Sequence, residues 1–187
     1  FQFTLNFNLV YRAEHFITSG LVAVLFAMLM VPNAVFSRIF LGQRIPLAFL
    51  IGTAIALAGI ALLFVQEYRS APAGLAAVLS GVGLTMAAVL SASAANVMQG
   101  ADRVKAMPII PLLAWAMLWG ALFDAAIAWI ISGPPVIETR PAYLAGIVYL
   151  GLIGSVATFP LYFGLIRTIG APRAAYSGVV VPVVAMI

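Results

Sequence analysis

The sequence predicts an all-α fold: a polytopic helical membrane protein, part of a ten-helix bundle made of two inverted five-helix repeats (5+5). Three observations predict it. Apolar blocks about 20 residues long fill the chain, the short loops between them alternate in charge, and one short motif opens two spans that enter from opposite faces.

The first observation concerns amount and spacing. Hydrophobic residues make up 65% of the chain and charged residues 7%, against roughly 45 to 50% and 25% in soluble domains. At 1.5 Å per residue, a helix needs about 20 residues to cross about 30 Å of hydrocarbon. The opening fragment, Phe1 to about Tyr11, reads as the last turns of a helix. Spans follow at about Thr18 to Leu41, Pro46 to Val65, Ala73 to Met98, Pro108 to Ile131 and Pro141 to Leu165, and a last one runs from about Ala174 to Ile187. Proline opens several of them, where its missing N–H costs no helical hydrogen bond. FQFTLNFNLVY is neither a basic leader nor a cleavable signal, so the chain is expected to begin, as it ends, within a helix.

The second observation is the charge of the loops. One set holds Arg38 and Arg44, then Arg103 and Lys105, then Arg167 and Arg173, against the single acid Asp102. The other set holds Arg12, Arg69 and Arg140, each matched by an acid at Glu14, Glu67 and Glu138. The positive-inside rule puts the first set in the cytoplasm. The net charge of +4 thus belongs to membrane loops, and its scattered cations form no stripe for nucleic acid. With no cysteine in the chain, disulfides, thiolate metal sites and a cysteine nucleophile are excluded.

The third observation is internal. TSGLVAV (Thr18 to Val24) and YSGVVVP (Tyr176 to Pro182) share Ser-Gly and a following valine in register. The two spans are an odd number of crossings apart, so they start on opposite faces, as an inverted five-helix repeat requires. On this reading residues 1–66 are the end of helix 3 with helices 4 and 5 of a first copy. Residues 67–187 are helices 6 to 8 and the start of helix 9 in a second copy. About two helices would precede the chain and one would follow it.

The stretches LVYRAEHFITSGLVAVLFAMLMVPNAVFSRIFLGQRIPLAFLIGTAIALAGIALLF and YLGLIGSVATFPLYFGLIRTIGAPRAAYSGVVVPVVAM resemble the paired domains of EamA-type transporters of the drug/metabolite transporter superfamily. The resemblance covers essentially the whole chain. Its specific parts are the FLGQR loop before a helix with Gly52 and Gly59, and the GAPRAAYS entry to a proline-containing span. Gln43 stands where the family usually has glutamate, which bears on a loop contact more than on a substrate contact. The resemblance implies a multi-pass carrier of the bacterial cell inner membrane, exporting small metabolites or amphipathic compounds through a central cavity. Amino acids are among the cargoes of the family.

Candidate site residues are polar groups inside spans. Asp124 is the one acid well inside a span, and an acid at the centre of a membrane helix costs about 2.5 to 3.5 kcal/mol on insertion scales. It is a candidate proton site or partner for a cationic substrate, with a hydrogen-bonded structural acid as the alternative. Its helical face holds Met117, Gly120 and Ala128, with Trp115 and Trp119 pointing largely away. In the Ala73 span, Thr85, Val89, Ala92, Asn96 and Gln99 share a stripe with Ser93 beside it, suited to a substrate or to bonds between helices. In the Pro141 span, Gly151, Ser155, Thr158 and Tyr162 share a face. Pro32, Pro160 and Pro182 each interrupt a backbone ladder and are hinge candidates. In the opening fragment, Gln2 with Asn6, and Thr4 with Asn8 and Tyr11, read as a cavity wall. Gly52, Ala56 and Gly59 read as a packing face.

The substrate-binding set is therefore Asn6, Asn96, Asp124, Ser155, Thr158 and Tyr162. No catalytic residue, metal or cofactor is expected. The expected partners are the lipid bilayer, a small-molecule substrate and protons as a candidate coupling ion. Rival readings are a membrane-embedded lipid-modifying enzyme, which would need converging acids, histidines or an activated nucleophile, and a channel or scaffold. The lone histidine, His15, lies in a loop beside Glu14. A selective pore would need a charged ring or a carbonyl filter, and no such motif stands in the sequence.

Overall fold

A computed structural model describes residues 2–45, 47–70, 74–135 and 138–179. They are helical throughout, with no strand among them. Helix α1 (Phe7–Ala13) continues a π-type turn, Gln2–Asn6. It is followed by α2 (Ser19–Leu41), α3 (Leu47–Ser70), α4 (Gly74–Met98), the single turn α5 (Asp102–Lys105), α6 (Ile109–Ser132), α7 (Pro141–Ile169) and the turn α8 (Ala171–Ala174), which leads into the 3-10 turn Ala175–Val179. Four of these, α2, α4, α6 and α7, are long and apolar enough to cross a membrane. The expected ten-helix inverted repeat is not displayed by the described residues.

The ends of the helices follow local chemistry. Thr18 caps α2, its hydroxyl accepting from the Leu21 amide at 3.4 Å. At the other end Gly42 takes φ +65°, which a side chain would resist, and the amides of Gly42 and Gln43 both close onto the Ser37 carbonyl. Pro108 and Pro141 open α6 and α7. Helices α3 and α7 run on to Ser70 and Ile169, past the expected Val65 and Leu165. The reason is that a helix continues beyond the hydrocarbon until something caps it. The expected last span starts as helix at Ala171.

Two prolines disturb their helices as an interior proline must, by removing one N–H and crowding the carbonyl four residues back. In α2 the disturbance precedes Pro32. Regular helix stops at Ala27, Met28 and Leu29 bond three residues back to Leu25 and Phe26, and Val31 bonds to Met28 at 2.8 Å. In α7, residues Leu150–Ala157 widen to a π-helix just before Pro160, and the Thr158 hydroxyl donates to the Ile153 carbonyl at 2.7 Å. Pro182 lies outside the described residues.

Packing is organised around α4, whose buried face runs through Val78, Gly81, Thr85, Ala88, Val89, Ala92, Ser93, Asn96 and Val97. At one end of the molecule Val78 joins Ala13, Ile17, Leu21, Val22 and Leu25. At the other, Val97 joins Leu113, Phe163, Ile166, Ala171 and Ala174. A third cluster sets Met30, Ala34 and Phe49 against Ala175. Close approach is made possible by glycine. A Cβ on Gly81 would lie 2.7 Å from the Ile17 side chain, and one on Gly120 would lie 2.5 Å from the Phe3 Cβ. Gly52 and Gly59 of α3 are exposed, with nothing within 4 Å of where a Cβ would stand. The outward faces of α6 and α7, including Trp115, Leu122, Trp129, Ile130, Ile147 and Leu152, are exposed and apolar, a surface suited to lipid.

The cation-bearing loops gather at one end. Arg167 at the end of α7 donates to Gln99 Oε1 through Nε (3.2 Å) and Nη2 (3.1 Å), and to the Met107 carbonyl through Nη1 (2.7 Å). Gln43 and Arg44 share a small crevice with Pro172. At the opposite end Arg140 pairs with Glu138.

Two predictions follow from this packing. Gly120→Val should overpack the α1–α6 contact at a cost of about 1 to 3 kcal/mol, read as a lower midpoint in a detergent thermal-unfolding assay. Gly83→Val, where nothing lies within 4 Å, should leave the midpoint unchanged. In this cysteine-free sequence, an impermeant thiol reagent should reach Lys105→Cys and Thr139→Cys from opposite sides of the membrane, Lys105→Cys from the cytoplasm.

Candidate functional site

Polar residues in the α4 face and α1 divide into those that clip helices together and those left facing a cavity. Asn6 is a clip: buried, it donates through Nδ2 to the Ala88 carbonyl of α4 at 2.8 Å. Thr4 donates to the Gly120 carbonyl of α6 at 3.4 Å. One turn on, Asn8 Nδ2 donates to Asp124 Oδ1 at 2.7 Å. Asn33 of α2, fully buried, donates to the Ala171 carbonyl of α8 at 3.1 Å. These bonds join helices distant in sequence, where water is not available to replace them.

Asp124 is half-buried on α6. An interhelical hydrogen bond in a membrane recovers on average about 0.6 kcal/mol and at most about 1.7. Set against about 2.5 to 3.5 kcal/mol for an acid at mid-membrane, the Asn8 bond alone does not offset the placement.

The cavity that collects the predicted residues measures about 460 Å³. Its wall is drawn from both halves of the chain: Gln2; Ala23, Phe26 and Leu29 of α2; Ala92 and Asn96 of α4; Thr158 and Tyr162 of α7; and Ala175, Ser177 and Gly178 of the 3-10 turn. Three of the expected substrate residues, Asn96, Thr158 and Tyr162, thus meet here. Asn6 and Asp124 stand apart at the helix clips, and Ser155 lies half-buried in the π-helical stretch, outside this lining. The disturbed stretches of α2 and α7 border the cavity through Leu29 and Thr158.

Asn96 is the chemically distinctive member. Its side chain is 1% exposed, its polar atoms are covered by protein, and its interaction is a long or poorly aligned hydrogen bond with the Tyr162 hydroxyl beside it. Gln2 Oε1 is buried without a partner. By contrast Ser177 donates to the Ala174 carbonyl at 2.8 Å, and Thr158 is used within α7. No Asp, Glu, Lys, Arg or His is among the described residues that line the cavity.

A second cavity of about 340 Å³ lies between α1, α4 and α6, walled by Phe3, Met98, Leu112, Leu113, Trp119, Phe123 and Phe163. Of its polar members, Thr4 and Gln99 are bonded to Gly120 and Arg167, while Gln2 Oε1 is without a partner. It is an apolar space with little free hydrogen-bonding capacity.

Sequence periodicity found the α4 stripe but missed several participants. Asn33 is visible as a polar residue inside a span beside Pro32, yet no spacing pattern singles it out. The pairings Asn8 to Asp124 and Arg167 to Gln99 join elements far apart in sequence, and no local pattern signals them. Phe26 and Leu29 look like any lipid-facing residues until the break before Pro32 turns them inward.

No family model matches the chain, and no solved structure matches it. Among curated proteins it is similar to Protein PagO of Salmonella typhimurium, with 25% identity over 190 residues. The match takes in 100% of this chain and 60% of that relative, so the chain spans less than two thirds of the protein it resembles.

Proposed function

We propose that the chain is part of a bacterial inner-membrane carrier of the EamA type, a ten-helix inverted repeat that exports small metabolites or amphipathic compounds, amino acids among them, by alternating access. The observation that carries this reading is the 460 Å³ cavity, which lies between elements before and after residue 67 and is bordered by two proline-disturbed helices. Carriers bind cargo near mid-membrane between their two halves and use interrupted helices to do so. A solute enters between the halves from the cytoplasmic side, meets Asn96, Thr158 and Tyr162, and leaves as the halves rock.

Asp124 fits a coupling role better than a cargo contact. It holds Asn8 of α1 from outside the cavity, so a proton arriving on its carboxylate would replace a charged acceptor with a weaker neutral one and loosen the bond that ties α1 to α6. Asp124 lies in the half of α6 nearer Ser132, away from the cation-rich loops, so on the positive-inside reading a coupling proton reaches it from the side opposite the cytoplasm. An enzyme acting on lipid remains the rival reading, and the two make different demands: a carrier returns its solute unchanged.

In proteoliposomes carrying the full-length protein, counterflow of a cargo should be saturable and accelerated by the same cargo on the opposite side. A channel would show neither property, and an enzyme would release altered solute. Asp124→Asn keeps a carbonyl to accept from Asn8 while losing the titratable group. It should preserve exchange at equal pH and abolish the response of net export to a pH gradient. An unchanged gradient response would reduce Asp124 to a structural clip.

A further inference from the structure

We infer that the buried hydrogen bond from Asn33 of α2 to the Ala171 carbonyl of α8 is a latch sealing the cytoplasmic end of the 460 Å³ cavity, and that the structure is the arrangement open to the opposite face. As a step in solute export this rests on the carrier reading above. As a statement about which side reaches the cavity it stands on the packing and the loop charges.

The two ends of the cavity are built differently. On the side of the cation-bearing loops, cytoplasmic by the positive-inside rule, Asn33 and Ala171 are both buried and their bond measures 3.1 Å. Ala171 belongs to the apolar cluster of Phe163, Ile166 and Ala174, and Ala34, next to Asn33, to that of Phe49 and Ala175. The outer end of α7 has no such closure. From Pro141 to Thr158 its residues are exposed around the whole circumference, Ser155 alone being half-buried. That stretch stands clear of the other described elements, and burial begins only at Phe163 and Ile166. Helix α7 is thus held at its cytoplasmic end and free at its outer end.

Topology singles out Asn33 among the bonds that join helices. Thr4, Asn6 and Asn8 fix α1 to α4 and α6, so α1 moves with them. Arg167 bonds to Gln99 and Met107, all within residues 67–187. The Asn33 bond crosses from residues 1–66 to the turn that follows α7, and it lies farther toward the cytoplasm than Leu29 and Tyr162 of the cavity wall. Admitting a solute from the cytoplasm requires α2 and α8 to part there, so this bond breaks and reforms in each cycle. A bond between uncharged groups suits that task. An interhelical bond in a membrane biases a two-state equilibrium by about threefold on average and at most about twentyfold.

The test uses the full-length protein, without cysteines, in sealed vesicles. Thr158→Cys on the cavity wall is the reporter, and an impermeant thiol reagent is added to one side at a time. With Asn33 intact, the reporter should react from the outer side at least about tenfold faster than from the cytoplasmic side, as a minor inward-open population implies. Asn33→Leu, close in size, should raise the cytoplasmic rate by about threefold or more and lower the outer rate, while Asn33→Gln, which keeps the amide, should stay nearer the unaltered pattern. Should the leucine variant not fold, Ser37→Cys with Pro172→Cys tests the latch on the unaltered Asn33. These positions share the crevice beside it, and joining them with a short thiol cross-linker should end cytoplasmic labelling of the reporter and spare outer labelling. A reporter reached mainly from the cytoplasm in the unaltered protein overturns the inference. So does Asn33→Leu with unchanged rates on both sides, or cytoplasmic labelling that survives the cross-link. Sidedness shifted by Asn33→Leu with no exchange of any solute upholds the latch and overturns the carrier reading; saturable exchange with unshifted sidedness does the reverse.

Discussion

Inside hydrocarbon a polar side chain has only protein groups to bond, and the seating of α1 between α4 and α6 is how this chain meets that constraint. Asn6 reaches the Ala88 carbonyl on one side, and Thr4 and Asn8 reach Gly120 and Asp124 on the other. The approach is close because Gly120 presents no Cβ to Phe3. Everything else depends on this seating. It fixes the height of Gln2 on the cavity wall, it closes one side of the apolar space beside Phe163, and it gives Asp124 an acceptor's role.

The donors of Asn6, Asn8 and Arg167 join helices by ending on a carbonyl, a carboxylate or an amide oxygen, whereas Asn33 Oδ1, Ser37 Oγ, Thr53 Oγ1 and Ser93 Oγ are buried without a partner outside the lining of the 460 Å³ cavity. Asn96, buried on the same helix face as Thr85, meets the Tyr162 hydroxyl. The Thr85 hydroxyl instead donates to the Gly81 carbonyl one turn back at 2.8 Å.

Much of this was legible in the sequence. Block length and proline placement located α2, α4 and α6 to within a residue or so at each end, because crossing hydrocarbon and starting a helix are both local requirements. Periodicity aligned Thr85, Val89, Ala92 and Asn96 on one face, and all four are buried. Loop charges grouped residues that the fold brings to one end, as the bonds from Arg167 to Gln99 and Met107 illustrate. What stayed hidden is which polar residue faces which. Asn6 and Asn96 are alike as residues in apolar surroundings. Whether each meets a carbonyl or a cavity is decided by the rotation of one helix against another, a quantity that single-chain periodicity does not contain.

The widened stretch of α7 has one more consequence. An α-helix turns about 100° per residue, and a π-helical segment is that ladder with surplus residue threaded in. Leu150–Ala157 is thus a store of rotation in a helix that keeps its ends anchored. Drawing one residue out of the store, with no bond broken beyond those already widened, would turn Tyr162 about a quarter of the way around the helix axis and away from Asn96.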